Sequence, residues 1–185
     1  MKKGKIAHEI LRVLSGRGMS VASLSGSSIS SAFIPRLEER GIGKKRKNSV
    51  RVAIDRLRRQ KFVEYTNNSD RGHIRLTSAG EMRIRQYDLE GLKLEDQTRW
   101  DRIWRIVMFD IPEEKKVARD AVSRKLKNIG FYQLQKSVFI HHKPCLDEIG
   151  FIEEFFGLEG MITYVEANSF GKQEGQIRKF FRIRV

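Results

Sequence analysis

The chain has 185 residues, of which 39% are hydrophobic and 32% charged, so it can build packed cores and lacks the composition of a globally disordered protein. Its formal net charge of +14 favours polyanionic partners, above all nucleic acid; a basic soluble protein with solvated lysines is the alternative. No segment approaches the roughly 18 apolar residues of a membrane span. The single cysteine, Cys145, excludes an internal disulfide framework and indicates a cytoplasmic protein.

The positive charge is concentrated in the first half of the chain. Residues 1–98 carry 21 Lys and Arg against 11 Asp and Glu, whereas residues 99–185 carry 16 against 12. Because an excess of cations attracts phosphates, the first half is predicted to hold the main polyanion-binding surface.

Two helices are predicted near the N-terminus. The first has apolar side chains at i, i+4, i+7 and i+8, which form one helical face: Ile6, Ile10, Val13 and Leu14. The stretch AFIPRLEERG, residues 32–41, is predicted as the second helix, with Pro35 tolerated if it lies near the first turn. Residues 15–31 are rich in Ser and Gly and receive no assignment.

A third helix is predicted over residues 48–61, where Asn48 or Ser49 can cap the start. Its apolar face consists of Val50, Ala53, Ile54 and Leu57. FVEY and HIRL then predict two short strands joined by the turn-forming TNNSDRG. Ser78 to Glu81 match a capping box that opens another helix through about Leu89. Three helices, a hairpin and a helix follow the plan of a winged helix-turn-helix domain.

The polar, acidic residues 89–99 are predicted as a linker, beyond which the pattern changes. IWRIVMF, FYQLQKSVFIHH and MITYVEA predict strands, and PEEKKVARDAVSRKLKNIG and CLDEIGFIEEFFGL predict helices. The predicted inward faces of these helices are Ala118, Val122, Leu126 and Ile129, and Leu146, Ile149, Ile152 and Phe156. IRKFFRIRV is predicted as a terminal strand, because Phe181 and Ile183 alternate with arginines.

The resulting order β-α-β-β-α-β is that of a ferredoxin-like domain. The predicted fold class is therefore α+β, with a winged helix-turn-helix at residues 1–88 and a ferredoxin-like domain at residues 100–185.

Basic residues cluster on and around the third helix. Clusters of this kind contact phosphates, and an arginine on a helix can also fork onto a guanine edge. The residues predicted to bind DNA are Lys44, Lys45, Arg46, Lys47, Arg51, Arg58, Arg59 and, at the tip of the hairpin, Arg71. Arg75 is a further phosphate candidate. A solvated helix face is the alternative, and the carboxylate of Asp55 on the same helix argues against close contact with DNA.

Asp110 is the candidate catalytic residue. It follows the apolar strand WRIVMF directly, and a carboxylate at a strand end can hold a divalent cation such as Mg²⁺ that activates water on a phosphodiester. In a dimer, two copies could meet at the two-fold axis. Alternatively, Asp110 caps the turn, Pro112 fixes the first helical turn, and Glu113 and Glu114 favour the helix dipole.

His141, His142 and Cys145 form an H-H-x-x-C pattern. A structural zinc site needs four ligands, and no second ligand cluster accompanies this one. The pattern is therefore interpreted as side chains at a strand end.

Residues 100–183 resemble the ferredoxin-like fold of the CRISPR-associated adaptation endonuclease (Cas-two). The matching segments are WRIVMFDIPEE, VARDAVSRKLKNIGF and YQLQKSVFIHH. A winged helix placed before such a domain resembles the PaaX family of bacterial transcriptional regulators, whose central domain is similar to that nuclease. NSVRVAIDRLRRQKFVEY and IRLTSAG fit the N-terminal half of that family in plan.

The resemblance implies a homodimer built through the ferredoxin-like domains, with two winged helices that read a partly palindromic double-stranded site. It also implies a metal-binding role for Asp110. Two functions follow from it. The first is a transcriptional regulator that needs no cofactor for DNA binding. The second is a CRISPR-associated adaptation protein, either a Mg²⁺-dependent endonuclease or a non-catalytic dimeric scaffold whose partner is the integrase.

Overall fold

The computed structural model describes residues 5–16, 29–40, 47–68, 71–97 and 99–183. The chain divides into two compact units, Met1–Glu90 and Gly91–Val185. Within the described ranges, no helix combines the length and the apolar character that a membrane crossing requires.

The N-terminal unit contains three helices, a two-stranded hairpin and a fourth helix, in the predicted order. Their bounds are α1 Lys5–Ser15, α2 Ile29–Glu39, α3 Lys47–Arg59, β1 Val63–Asn68, β2 Arg71–Leu76 and α4 Ser78–Gly91. The strands β1 and β2 pair antiparallel, with Val63 opposite Leu76 at the base of the hairpin. The predicted linker residues 89–91 lie in α4, which continues past Leu89.

The N-terminal unit has a hydrophobic core that is formed mainly by the first three helices. Its buried members include Ile10, Leu11, Phe33, Leu37, Val50, Ile54, Leu57, Val63, Ile74 and Ile84. The predicted apolar face of α3 is confirmed, since Val50, Ile54 and Leu57 are buried and Ala53 packs against them. This burial fixes which side of α3 faces solvent.

The prediction that Pro35 lies near the first turn of the second helix is wrong. The helix α2 begins at Ile29, three residues before the predicted start, so Pro35 lies inside the helix and not in its first turn. Proline there removes a helical hydrogen bond, but the neighbouring side chains of Phe33 and Leu37 are buried in the core and hold the helix in place.

The start of α4 is joined to the end of α3. The Thr77 hydroxyl donates to the Lys61 carbonyl at 2.6 Å and accepts the Gly80 N–H at 3.1 Å. The Thr77 N–H donates to the Phe62 carbonyl at 3.1 Å. Thr77, and not the predicted Ser78, therefore caps α4, because its hydroxyl reaches the third helical N–H.

The C-terminal unit contains a four-stranded antiparallel sheet. Its elements are β3 Trp104–Phe109, α5 Lys116–Asn128, β4 Tyr132–Gln135, β5 Val138–His141, α6 Leu146–Phe156, β6 Ile162–Ala167 and α7 Glu174–Phe181. The strand order is β4-β5-β3-β6, which is the ferredoxin-like arrangement of the predicted β-α-β-β-α-β series.

The helices α5 and α6 bury four of their eight predicted inward residues. Val122, Leu126, Ile149 and Ile152 are buried. Leu146 was predicted to face inward and is 60% exposed, because it is the first residue of α6 and precedes the turns that cover the sheet.

The predicted terminal strand is wrong, because Glu174–Phe181 form the helix α7. Ile177 is fully buried with Trp104 and Ile140, and Phe181 packs against this cluster. Ile177 and Phe181 are four residues apart, so the apolar pattern also fits one face of a helix. The Arg178 Nε donates to Glu174 at 2.9 Å, which adds an i, i+4 ion pair.

Arg105 is a buried cation in this unit, with a side chain only 4% exposed. Its Nη1 donates to Asp101 at 2.8 Å and to the carbonyl oxygens of Ile103 at 3.1 Å and His142 at 2.9 Å. Its Nε donates to Glu166 at 3.3 Å. The guanidinium is thus satisfied by two carboxylates and two backbone carbonyls, as a buried charge requires.

Candidate nucleic-acid interface

The helix α3 presents a row of arginines to solvent. Because Val50, Ile54 and Leu57 are buried, the helix is held with Arg51, Arg58 and Arg59 exposed. Within the described parts of the chain, these three side chains form no ion pair. Their charge is therefore available to an external anion.

Two further exposed residues modify the charge of α3. Arg56 adds a fourth arginine that the sequence pattern did not single out, although it lies in the same helix. Asp55 is exposed beside it, so the local field on that side of the helix is less positive.

The other predicted DNA-binding residues are only partly placed. Lys44, Lys45 and Arg46 lie outside the described residues, and Lys47 is the first residue of α3. Arg71 begins β2 opposite Asn68, at the end of the hairpin away from α4. Their contacts with DNA stay predictions.

Arg75 is paired with an acid of the hairpin. Its Nε donates to the Glu64 carboxylate at 2.6 Å, and the strand register places these two residues directly opposite each other. A cross-strand pair of this kind reduces the charge that Arg75 can offer to a phosphate. Arg75 is consequently a weaker candidate than the unpaired arginines of α3.

An aromatic side chain lies beside the last turn of α3. The Arg58 guanidinium carbon is 5.3 Å from the centre of the Tyr65 ring, and Tyr65 is 40% exposed. A cation over an aromatic face is attracted to the ring, so Tyr65 orients the arginine. The sequence pattern did not indicate Tyr65 as a candidate, because its contact with Arg58 depends on the turn between α3 and β1.

Asp110 is exposed directly after β3, as predicted. Its N–H donates to the Met161 carbonyl at 3.1 Å, which ties this strand end to the start of β6. Its carboxylate accepts no hydrogen bond from the described residues, and the turn that follows has no side-chain cap. The predicted capping role is therefore wrong.

The turn after Asp110 is stabilised by another acid. Glu113 accepts a hydrogen bond from Arg119 at 2.8 Å and pairs with Lys116 at 3.5 Å. The Arg119 hydrogen bond holds the pKa of Glu113 below its usual value. Glu113 therefore stabilises the start of α5. The sequence pattern assigns the stabilisation of this turn and helix start jointly to Asp110, Pro112, Glu113 and Glu114.

The surroundings of Asp110 show no assembled metal centre. Among the described residues, no group of three or more His, Cys, Asp or Glu side chains comes together in a way that could hold an ion. A metal site at Asp110 needs ligands from elsewhere, such as a second copy of the chain, and stays a prediction.

His141, His142 and Cys145 are packed side chains. The His141 and His142 rings stack at 4.7 Å, and the His141 Nδ1 accepts the Lys143 N–H at 2.9 Å. Burial lowers the pKa of His141 to about 3 and raises the pKa of Cys145 to about 12. Both groups are therefore neutral near pH 7, as a buried structural role requires.

The sheet order and the two helices α5 and α6 define the C-terminal unit as a ferredoxin-like domain. Residues 97–177 match the family model described as the PaaX protein central Cas2-like domain. This range is therefore similar to the Cas2-like central domain of PaaX proteins, which confirms for it the resemblance carried by WRIVMFDIPEE and YQLQKSVFIHH. A search of curated proteins found no match.

Proposed function

We propose that the protein is a sequence-specific, double-stranded DNA-binding transcriptional regulator that acts as a homodimer. The observation that carries this proposal is the exposed, unpaired set Arg51, Arg58 and Arg59 on a helix whose opposite face is buried. The PaaX-like central domain supports it, since the resemblance to that family implies regulators of transcription.

In this proposal, the N-terminal unit is a winged helix-turn-helix domain. The helices α2 and α3 contact each other and form the helix-turn-helix, with α3 as the recognition helix, and the hairpin β1–β2 forms the wing. The arginines of α3 hydrogen-bond to base edges and phosphates in the major groove. Lys44, Lys45, Arg46 and Lys47 contact phosphates before the helix, and Arg71 contacts the backbone or the minor groove from the wing.

The ferredoxin-like domain joins two chains in this proposal. Half-buried Met108 of β3 and exposed Val165 of β6 lie on the same sheet face as Trp104, a face that α7 covers in part through Ile177. An apolar sheet face of this kind is suited to packing against a second copy. Dimerisation would present two copies of α3 to two half-sites of one duplex.

Replacing Arg58 and Arg59 together by glutamine should weaken duplex binding about tenfold or more and flatten its dependence on salt. Each lost phosphate contact reduces the slope of log affinity against log salt by about 0.9, and a lost arginine–guanine pair costs about 1–3 kcal/mol of discrimination. Titrations of a labelled duplex, selected by the wild-type protein from a random-sequence library, at several salt concentrations measure both effects. The stoichiometry at saturation should be two chains per duplex.

The matched control is the double change Arg124→Gln and Lys127→Gln. It removes two exposed positive charges from α5 in the other unit, so it equals the test variant in net charge. The control should keep the wild-type slope to within a few tenths. Equal slopes for wild type and the Arg58, Arg59 variant would remove α3 as the recognition helix.

A further inference from the structure

An open groove of about 700 Å³ runs along β1 in the N-terminal unit, between the end of α3 and the start of α4. Its lining consists of Arg58, Lys61, Val63, Glu64, Tyr65, Thr77, Ser78 and Ala79. The acid in the lining, Glu64, already pairs with Arg75. The groove therefore carries an excess of positive charge that suits an anionic occupant.

Lys61 has an unusual backbone for a lysine. Its φ angle is 58°, in the left-handed region that disfavours side chains with a Cβ. The chain turns there after α3, with the Phe62 N–H donating to the Leu57 carbonyl and the Lys61 N–H donating to the Arg58 carbonyl. This is the helix-ending motif in which glycine is the favoured residue.

The same motif ends α5 and α6 with glycine and α7 with Arg182, whose φ is 55°. Gly130 has a φ of 101° and Gly157 a φ of 61°, and each is followed by an N–H that donates five residues back. Glycine is therefore accepted by this chain at the positive-φ residue that ends a helix. The turn does not explain why a lysine stands at residue 61.

The side chain of Lys61 offers an explanation. It is exposed on the groove, and within the described residues it forms no ion pair. The Thr77 hydroxyl donates to the Lys61 carbonyl at 2.6 Å, so the backbone that carries the side chain is held in place. Lys61 and Arg58 thus place two cations beside the exposed ring of Tyr65.

We propose that this groove binds one backbone phosphate of the duplex, held by the Lys61 ammonium and the Arg58 guanidinium, with the Tyr65 ring packed beside the adjoining sugar. The site extends the DNA contact from α3 onto the base of the hairpin. This inference rests on the proposed function, and it assigns to Lys61 a role that the sequence pattern did not indicate.

The test is Lys61→Gly in the full-length protein. Glycine relieves the left-handed backbone and removes one phosphate contact, so stability and DNA affinity should move in opposite directions. The apparent melting temperature of the N-terminal unit should rise by about 4 °C. The affinity for a labelled duplex should fall several-fold, and the slope of log affinity against log salt should fall by about 0.9.

Two further variants separate the effect of the positive charge at residue 61 from the effect of a change in backbone conformation. Lys61→Arg keeps the positive charge and should keep the wild-type slope. Arg182→Gly is the matched control, because Arg182 also has a positive φ, 55°, at the end of α7 in the other unit. It should leave the slope unchanged.

The outcomes distinguish this proposal from the one on which it rests. If the wild type binds duplex DNA and Lys61→Gly keeps its slope, the phosphate site is overturned and the regulator proposal stands. If the wild type does not bind duplex DNA, both are overturned. A fall in melting temperature for Lys61→Gly would contradict the backbone argument and overturn the phosphate site.

Discussion

Gly80→Ala is expected to destabilise the N-terminal unit by about 3 kcal/mol or more, enough to unfold much of it. A Cβ at this position would lie 2.1 Å from the Phe62 carbonyl oxygen and 2.9 Å from the Leu76 Cδ2. The first contact is with backbone, so no rotation of a side chain can relieve it. Phe62, which directly precedes β1, and the start of α4 would have to move apart.

The separation would break the junction between α3 and α4. The Phe62 carbonyl accepts the Thr77 N–H, and the Thr77 hydroxyl caps α4 at Gly80. Displacing α4 therefore removes a hydrogen bond at the base of the hairpin and the cap of the helix together. Duplex binding should be lost with the fold of the unit, since Lys61 and Arg58 adjoin this junction.

The two tryptophans allow this effect to be assigned to one unit. Trp100 and Trp104, the only tryptophans of the chain, both belong to the C-terminal unit. Urea unfolding followed by far-ultraviolet circular dichroism should show an early loss of helix in Gly80→Ala, while tryptophan fluorescence should keep its wild-type midpoint.

The control for Gly80→Ala lies in the same helix. Nothing lies within 4 Å of a Cβ at Gly91, so Gly91→Ala should be neutral or stabilising by up to about 1 kcal/mol. A Gly80→Ala protein as stable as Gly91→Ala would contradict the close approach of α4 to Phe62.

Asp101→Asn is expected to destabilise the C-terminal unit by about 2 kcal/mol. Asp101 is the main acceptor of the buried Arg105 guanidinium, and its removal leaves a buried cation with one charged partner, Glu166, at 3.3 Å. Breaking a fully buried pair costs about 3–5 kcal/mol. The smaller value is expected here because the Asp101 side chain is 34% exposed and can be replaced in part by water.

The effect should depend on pH in a direction that the structure fixes. Hydrogen bonding from Arg105 holds the pKa of Asp101 below its usual value of 3.8. The folded state thus favours the carboxylate, and the stabilisation is complete above about pH 4 and is lost as the pH falls through the lowered pKa. The stability difference between wild type and Asp101→Asn should shrink in acid.

Tryptophan fluorescence during urea unfolding measures this difference, because Trp100 directly precedes Asp101, Trp104 directly precedes Arg105, and both tryptophans lie in the C-terminal unit. Asp96→Asn is the control. Asp96 accepts from Lys143 at 2.7 Å but is fully exposed, so its loss should not measurably change stability. Equal midpoints for both variants would show that Asp101 does not stabilise the buried cation.

The sequence predicted the elements whose apolar residues repeat at the period of one secondary structure. The face Val50, Ile54 and Leu57 predicts α3 and leaves Arg51, Arg58 and Arg59 exposed, as the structure shows. The strand β3, which ends just before Asp110, followed from its uninterrupted apolar run. Local periodicity sufficed there because burial on one face decides both structure and exposure.

The sequence could not predict features that depend on contacts between distant segments. In α7, Ile177 and Phe181 fit a helix and Phe181 and Ile183 fit a strand, and packing of Ile177 against Trp104 decides between them. The requirement for glycine at residue 80 arises from the Phe62 carbonyl, which is eighteen positions earlier.

The groove residues were missed for a similar reason. Nothing in the sequence distinguishes Lys61 from the other lysines. Only the positive φ angle of the turn after α3 shows that glycine would be favoured at this position. Its neighbours Arg58 and Tyr65 come together across the same turn. Asp101 and Arg105 are four residues apart, a spacing that is common for exposed ion pairs. Only the folded structure shows that the Arg105 side chain is buried.

The measurement that tests the regulator account most directly is incubation of full-length protein with labelled duplex DNA and with RNA, in Mg²⁺ or Mn²⁺, followed by separation of bound, free and cleaved strands. Wild type and Asp110→Asn are compared. The account predicts a tight, salt-dependent duplex complex, intact strands, and equal behaviour of the two proteins. Metal-dependent cleavage by the wild type that is lost in Asp110→Asn would contradict it and favour the nuclease.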